Sequence, residues 1–265
     1  MPTEWDAATY DRVANPQARW GLAILDRLRL NGDERVLDAG CGSGRVTEQL
    51  IERLPNGRVI ALDGSASMLS EARRRLARSG DRVQYVLADL EQPLPIDPPV
   101  DAILSTATFH WVRDHSALFR HLAAVLLPGG QLVAQCGGKG NVATLERVLT
   151  DMGAGGVRRT FAGPEETAKR LVAAGFVDVE TWLSDEPTRF EPGQPFEEFL
   201  ETVCLREHLA GMIPDERPAF VSAVAARMPE PLLDYVRLNI VARRGWSDPT
   251  EPIIDRPGTA RRGPG

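Results

Sequence analysis

Residues 34–44 read Glu-Arg-Val-Leu-Asp-Ala-Gly-Cys-Gly-Ser-Gly, and they carry the strongest indication of fold class in the chain. A short apolar run predicts a β-strand, and glycines follow it at Gly40, Gly42 and Gly44. An amphipathic helical pattern starts directly after the last glycine. Glycines at such a junction let the backbone approach a ligand closely and leave free N–H groups at the helix start. The stretch therefore predicts a strand, a ligand-binding loop and a helix.

The strand-then-helix pattern repeats along most of the chain. Apolar strand-like runs alternate with amphipathic helices, which favours a parallel α/β sheet covered by helices on both faces. The predicted strands are residues 35–38, 58–63, 83–89, 100–105, 131–136, 176–183 and 235–243. A turn is expected at Pro128-Gly129-Gly130, before the fifth strand. The predicted core comprises residues 34–137, 163–183 and 234–243.

Three segments lie outside this predicted core. A cap helix is expected over residues 3–30, because its apolar residues recur at helical spacing. A helical block at about residues 194–230 falls between the last two strands and is interpreted as a lid over the site. Residues 247–265 are rich in Pro, Gly and Arg and are predicted to be disordered. Residues 1–246 are accordingly predicted to form one domain.

Composition narrows the class of protein. The 265 residues are 43% hydrophobic and 26% charged with a formal net charge of −6, which indicates a globular domain. No nucleic-acid partner is expected, because neutralising phosphates requires a basic surface. The sequence has no run of about 18 apolar residues, so no membrane-spanning helix is predicted. The polar N-terminus does not resemble a signal peptide. Distant cysteines and scattered histidines predict a cytoplasmic location and no metal site. We expect a monomer or a weak homodimer.

The residues in and near the glycine loop bear on the ligand. In the dinucleotide fingerprint G-x-G-x-x-G the third glycine would fall at Arg45, which disfavours an NAD-dependent oxidoreductase. Asp38, just before the loop, suits a ligand with an ammonium group. Asp63 and Asp89 end the next two strands, where one can accept hydrogen bonds from a ribose diol and the other from an adenine amino group. Each acid could instead cap a helix.

These motifs resemble those of the class I S-adenosylmethionine-dependent methyltransferases. The resemblance spans about residues 34–137 and is carried by Val36–Gly44, Asp63, Asp89 and Leu127–Gly130. It implies a Rossmann-like sheet of seven mostly parallel strands whose last strand, residues 235–243, is antiparallel. S-adenosyl-L-methionine is the cofactor that it implies.

The same resemblance implies a set of cofactor-binding residues. The glycine loop would contact the methionine part, Met68 would pack on the adenine, and Asp89 with Leu90 would bind the adenine edge. The full set is Asp38, Gly40, Cys41, Gly42, Gly44, Asp63, Met68, Asp89, Leu90 and Ser105.

A narrower resemblance concerns the substrate. Tyr10 and Gln17, together with residues 105–115 (STATFHWVRDH), are similar to the trans-aconitate methyltransferase group and to the juvenile-hormone-acid carboxyl methyltransferases. It implies that Gln17 and Trp111 hold a substrate carboxylate. Both side chains are neutral donors, which can bind a carboxylate without a tight ion pair. Trp111 could instead be a core aromatic residue, and Gln17 an exposed helix residue.

His110 is the histidine placed for chemistry. It follows the fourth strand, at the edge where open parallel sheets bind ligands, and it could be a general base or a hydrogen-bonded pocket residue. His115 and His121 are expected on a helix surface. The favoured reaction is O-methylation of a small-molecule carboxylic acid. Methylation of a hydroxyl, amine or ring carbon is the alternative, followed by an oxidoreductase or a non-catalytic cofactor-binding module.

Overall fold

The computed structural model of this chain describes residues 15–155 and 159–246. The strands in these ranges are β1 (Arg35–Ala39), β2 (Arg58–Asp63), β3 (Val83–Leu87), β4 (Val100–Thr106), β5 (Leu126–Gly137), β6 (Phe176–Asp185), β7 (Thr188–Arg189), β8 (Leu232–Leu233) and β9 (Val236–Arg244). The helices are α1 (Asn15–Leu25), α2 (Arg45–Glu52), α3 (Ala66–Arg75), α4 (His115–Ala124), α5 (Ala143–Asp151), α6 (Pro164–Ala173), α7 (Gln194–Phe199), α8 (Arg206–Ala210) and α9 (Arg217–Arg227).

Seven strands form one sheet in the order β3-β2-β1-β4-β5-β9-β6. Strands β1 to β5 run parallel to one another, and β9 is antiparallel to both β5 and β6. The predicted fold class is therefore confirmed. The strand order places β9, which comes last in the sequence, inside the sheet rather than at its edge.

Apolar strands explain the two-sided core. Leu37 and Ile103 pack into one buried cluster with residues of α4 and α6. Their neighbours in sequence, Val36 and Leu104, face the opposite cluster with residues of α1, α2 and α3. Because successive side chains of a strand point to opposite faces, fully apolar strands require helices on both sides.

The glycine loop has the backbone that its sequence requires. Gly40 and Gly44 have φ values of 84° and 83°, in the left-handed region that favours glycine. A Cβ atom on Gly40 would lie 2.2 Å from Thr108 Oγ1, so the chain after β4 fits directly against the loop. The glycines thus permit both the turn from β1 into α2 and the close approach of the neighbouring loop.

Several predicted boundaries are wrong. The cap helix ends at Leu25 and not at residue 30, because Leu28 N–H bonds to the Leu25 carbonyl at 3.1 Å in a tighter turn. Strand β5 begins at Leu126 and includes the predicted turn at Pro128–Gly130. The register shifts opposite this segment, which forms a bulge with Gly129 at φ 79°.

Helix α5 follows Gly137, in a region for which no element was predicted. Leu145, Val148 and Leu149 are buried and recur at helical spacing, which is the signal that could have identified it. Helices α5, α7, α8 and α9 pack together with Trp20 of α1 in a third apolar cluster. This arrangement brings the helical block of residues 194–227 beside the site; its action as a lid stays a prediction.

The remaining predictions about the ends of the chain concern residues 1–14 and 247–265. The start of the cap helix, Tyr10 and the disordered tail therefore lie outside the described residues. None of the helices described is both long and apolar enough to cross a bilayer. Within residues 15–155 and 159–246, no group of three His, Cys, Asp or Glu side chains is arranged to hold a metal ion. Oligomeric state and location in the cell stay predictions.

Candidate active site

A cavity of about 320 Å³ opens at the carboxyl ends of the parallel strands. The segments after β1, β2, β3 and β4 form one part of its wall, and Asn141 and Val142 before α5, the start of β9 and residues in 159–161 and 203–207 form the rest. Ligands of open α/β sheets bind at this edge. Of the predicted site residues, the cavity wall contains Gly40, Cys41, Gly42, Asp63, Met68, Asp89, Leu90, His110 and Trp111.

Asp63 connects the glycine loop to the end of β2. Its Oδ2 accepts a hydrogen bond from Gly42 N–H at 2.8 Å, and its Oδ1 accepts one from Ser65 N–H at 2.9 Å. These two bonds orient the Asp63 carboxylate at the cavity wall. Gly42 lines the cavity at φ 54°, and a Cβ atom built on it meets nothing within 4 Å. The loop therefore presents bare backbone, next to an oriented carboxylate, to open space.

Apolar side chains line the cavity together with Asp89. Met68 at the start of α3 and Leu90 after β3 are almost fully buried and contribute to its wall. Asp89 Oδ1 accepts a hydrogen bond from Glu91 N–H at 3.0 Å, which orients the carboxylate. Apolar side chains beside an oriented acceptor suit a flat heterocycle that carries an amino group.

Three predicted cofactor residues lie behind the cavity wall rather than in it. Ser105 is buried and donates a hydrogen bond to the Ala39 carbonyl at 2.6 Å. Gly44 packs against α3. Asp38 is fully buried, and its Oδ2 accepts a hydrogen bond from the Thr47 hydroxyl at 2.7 Å, whereas its Oδ1 has no partner among the described residues. Burial raises the pKa of Asp38 to about 7, and the nearby Asp63 carboxylate contributes to this rise.

The raised pKa of Asp38 makes a prediction about stability. Because its folded pKa lies above the usual 3.8, Asp38 stabilises the fold at low pH and loses this effect as pH rises through about 7. Asp38→Asn is therefore expected to raise the Tm of the cofactor-free protein at pH 8, and to raise it less at pH 5. Thermal melts at both pH values would measure this, with the exposed Asp26→Asn as control. A Tm that falls equally at both pH values would contradict the assignment.

His110 is held as a neutral imidazole. Its Nδ1 accepts a hydrogen bond from Gly137 N–H at 3.3 Å, so the ring proton resides on Nε2. Burial lowers the pKa of His110 well below its usual value, and the positive charges of Arg237 and Arg159 lower it further. His110 is thus arranged as a neutral hydrogen-bond donor on the cavity wall. The expectation that His115 is exposed is wrong: it is buried, and its Nε2 lies 2.9 Å from the Phe109 carbonyl oxygen.

Two arginines that the sequence did not indicate also line the cavity, close enough to His110 to interact with it electrostatically. Arg237 on β9 is only 3% exposed, and its guanidinium carbon lies 4.6 Å from the centre of the Trp20 ring. The guanidinium carbon of Arg159 lies 4.9 Å from the centre of the Trp111 ring. The other charged lining residues are Arg45, Glu91, Arg113, Arg206 and Glu207. Gln17 belongs to α1, but its side chain lies outside the described part of the structure.

Comparison with known proteins agrees with this geometry. A family described as a methyltransferase domain matches residues 36–130. A protein of Azoarcus sp. (strain BH72) named trans-aconitate 2-methyltransferase is 31% identical over 234 residues, which cover 85% of this chain and 89% of that protein. The chain belongs to this family of S-adenosylmethionine-dependent methyltransferases. A second methyltransferase of the family, from Acidovorax ebreus (strain TPSY), has the same name and is 30% identical over 91% of this chain and 98% of its own length.

Solved methyltransferase structures share the fold. A putative methyltransferase from Bacillus halodurans C-125 superposes with a TM-score of 0.61 at 18% identity, covering 85% of this chain and 98% of that one. A Haemonchus contortus phosphoethanolamine N-methyltransferase, solved with S-adenosylhomocysteine, gives a TM-score of 0.59 at 19% identity over 90% of this chain and 57% of that one. At these identities the likeness concerns the methyltransferase fold alone.

Proposed function

We propose that this methyltransferase transfers the methyl group of S-adenosylmethionine to a carboxylate oxygen of a small organic acid. The observation that carries the proposal is the pair of arginines beside His110 and Trp111. Asp63 at the end of β2 and Asp89 after β3 lie on the cavity wall, whereas Arg159 lies over the Trp111 ring and both Arg159 and Arg237 interact electrostatically with His110. The acids suit a cationic cofactor, and the arginines suit an anionic acceptor. The name shared by the two relatives supports an acid as the acceptor.

The residues at the glycine-loop end fit the cofactor. The open space at Gly42 has room for the methionine part, and the Asp63 carboxylate on the cavity wall would accept hydrogen bonds from the ribose diol. The buried Asp38 carboxylate, with one oxygen lacking a partner among the described residues, favours an ammonium group above the loop. Met68 and Leu90 would enclose the adenine, with Asp89 at its amino edge.

When bound, the cofactor would supply a methyl group on a sulfonium: the substrate carboxylate oxygen would form the new C–O bond, the C–S electron pair would stay with sulfur, and S-adenosylhomocysteine would be the leaving product. A carboxylic acid with a pKa of about 4 is already ionised at pH 7, so no base is needed. Trp111 and His110 would orient the carboxylate through neutral N–H groups, which preserve its nucleophilicity. Their contribution is to position the oxygen in line with the methyl group.

Turnover of a substrate panel tests the proposal. The protein is incubated with methyl-labelled cofactor and with carboxylic acids, including trans-aconitate, and with alcohols and amines of the same carbon skeletons. We expect label in esters that alkali hydrolyses. Alkali-stable label, or turnover confined to alcohols or amines, would contradict a carboxylate acceptor.

The pH dependence separates this reaction from hydroxyl methylation. Because the pKa of His110 is lowered well below its usual value, His110 stays neutral and the acid stays ionised from pH 6 to 8. At saturating cofactor, kcat/KM for the acid is expected to change by less than about threefold over this range. A steep rise with an apparent pKa of about 6 to 7, abolished in His110→Gln, would instead identify His110 as a general base.

A further inference from the structure

We propose that Arg159 and Arg237 determine which acids this enzyme accepts, by binding a substrate carboxylate other than the one that is methylated. The inference rests on the proposed function. It assigns specificity to two residues that no sequence motif indicated.

Arg237 is a charged residue at an interior position of the sheet. It pairs with Gly137 of β5 on one side and with Ser184 of β6 on the other, and only 3% of it is exposed. A guanidinium is seldom buried in this way unless it serves a purpose, because desolvating it is costly. Its flat face is covered by Trp20, and the residue lines the cavity. The indole N–H of Trp20 donates to Glu186 at 3.1 Å, which holds the covering ring in place.

Arg159 also lines the cavity, next to Trp111. One of its terminal N–H groups donates to the Cys204 carbonyl, and its guanidinium lies over the Trp111 ring. Cys204 ends a π-helical turn, Leu200–Cys204, a rare conformation that is frequent at functional sites. The buried Nε of Arg159 has no hydrogen-bond partner among the described residues. Glu146 of α5 is near enough to interact electrostatically with Arg159.

Both guanidinium groups lie close to His110. Both lower the pKa of its imidazole. The backbone next to Arg159 is also tied to His110, because Thr160 N–H donates to the His110 carbonyl at 2.9 Å. The site therefore offers neutral donors, on His110 and Trp111, beside two positive charges. A carboxylate bound by a guanidinium loses nucleophilicity, since its charge is neutralised. The carboxylate held by the arginines is thus the anchor, and the one held by neutral donors accepts the methyl group.

The test compares two substrates that differ by one charge. The acid with the highest kcat/KM in the panel is compared with its monoamide at a carboxylate that is not methylated. In Arg159→Gln and Arg237→Gln, KM for the acid is expected to rise about 10- to 100-fold. KM for the monoamide is expected to rise less than about threefold, and kcat is expected to change little for either substrate. Arg159→Lys and Arg237→Lys should restore part of the preference for the acid. Arg53→Gln, which removes an exposed arginine paired with Asp26 away from the cavity, is the matched control.

Several outcomes would overturn the inference. The first is that the acid with the highest kcat/KM has only one carboxylate. The second is that the arginine variants raise KM equally for the acid and its monoamide. The third is that the Arg53→Gln control raises KM for the acid as much as they do. If Arg237→Gln does not fold, as judged by its melting curve, Arg159→Gln alone decides. Calorimetry of trans-aconitate with protein loaded with S-adenosylhomocysteine separates the two proposals. If the arginine variants weaken the binding of trans-aconitate but no ester forms, the inference is retained and the proposed reaction is rejected. If an ester forms and the arginine variants leave the selectivity between acid and monoamide unchanged, the proposed reaction is retained and the inference is rejected.

Discussion

Asp63→Ala is expected to lower the affinity for S-adenosylmethionine by about 100-fold or more. A hydrogen bond to a charged acceptor contributes about 1.5–3 kcal/mol, and the carboxylate would provide one to each ribose hydroxyl. The substitution also frees Gly42 N–H and Ser65 N–H, which Asp63 holds at 2.8 and 2.9 Å. The loop thus loses its orientation together with the ligand contact.

Calorimetric titration of Asp63→Ala and Asp63→Asn with cofactor measures this effect. The asparagine variant should lose less, because its amide oxygen can still accept one bond. Asp89→Ala, which keeps the ribose contacts, should lose only about tenfold. Cofactor affinity that is unchanged in Asp63→Ala would remove this carboxylate from the cofactor site.

Gly42→Val is expected to abolish measurable cofactor binding while the protein still folds. The substituted Cβ would meet no protein atom within 4 Å, so the added methyl groups project into the cavity where the cofactor would lie. Valine at φ 54° also strains the backbone, and this strain must be separated from obstruction of the site.

Gly80 provides a control for backbone strain. It has φ 56° with ψ −134°, a conformation that favours glycine, it is exposed, and a Cβ atom built on it likewise meets nothing within 4 Å. Gly80→Val should lower the Tm and leave cofactor affinity unchanged. Equal effects of the two variants on affinity would mean that strain, not occupation of the cavity, explains the loss.

The cofactor half of the cavity could be predicted from the sequence because its signals are local. Gly40, Gly42, Asp63 and Asp89 all lie at the ends of strands that are adjacent along the chain and parallel in the sheet. The carboxyl ends of such strands meet at one edge, so residue position along the sequence was sufficient to group them.

The other half depends on contacts between distant parts of the chain. Arg237 alternates with apolar residues, a pattern that is typical of a strand with one solvent-facing side. It is buried in the structure, on a strand that lies between β5 and β6. Arg159 gains its place through the carbonyl of Cys204, 45 residues away. None of these contacts has a signal in the neighbouring sequence.

The position of β9 has a consequence for biosynthesis. Gln131 of β5 pairs with Arg243 of β9, so the sheet cannot close until nearly the whole described chain has left the ribosome. Until then β5 and β6 both present unpaired backbone groups, which favour aggregation. The nascent chain can form its first five strands, with the cofactor loop, well before Arg237 is available. A chain cut short before residue 236 would therefore expose two open strand edges in the middle of its sheet and lack an arginine of the proposed anchor.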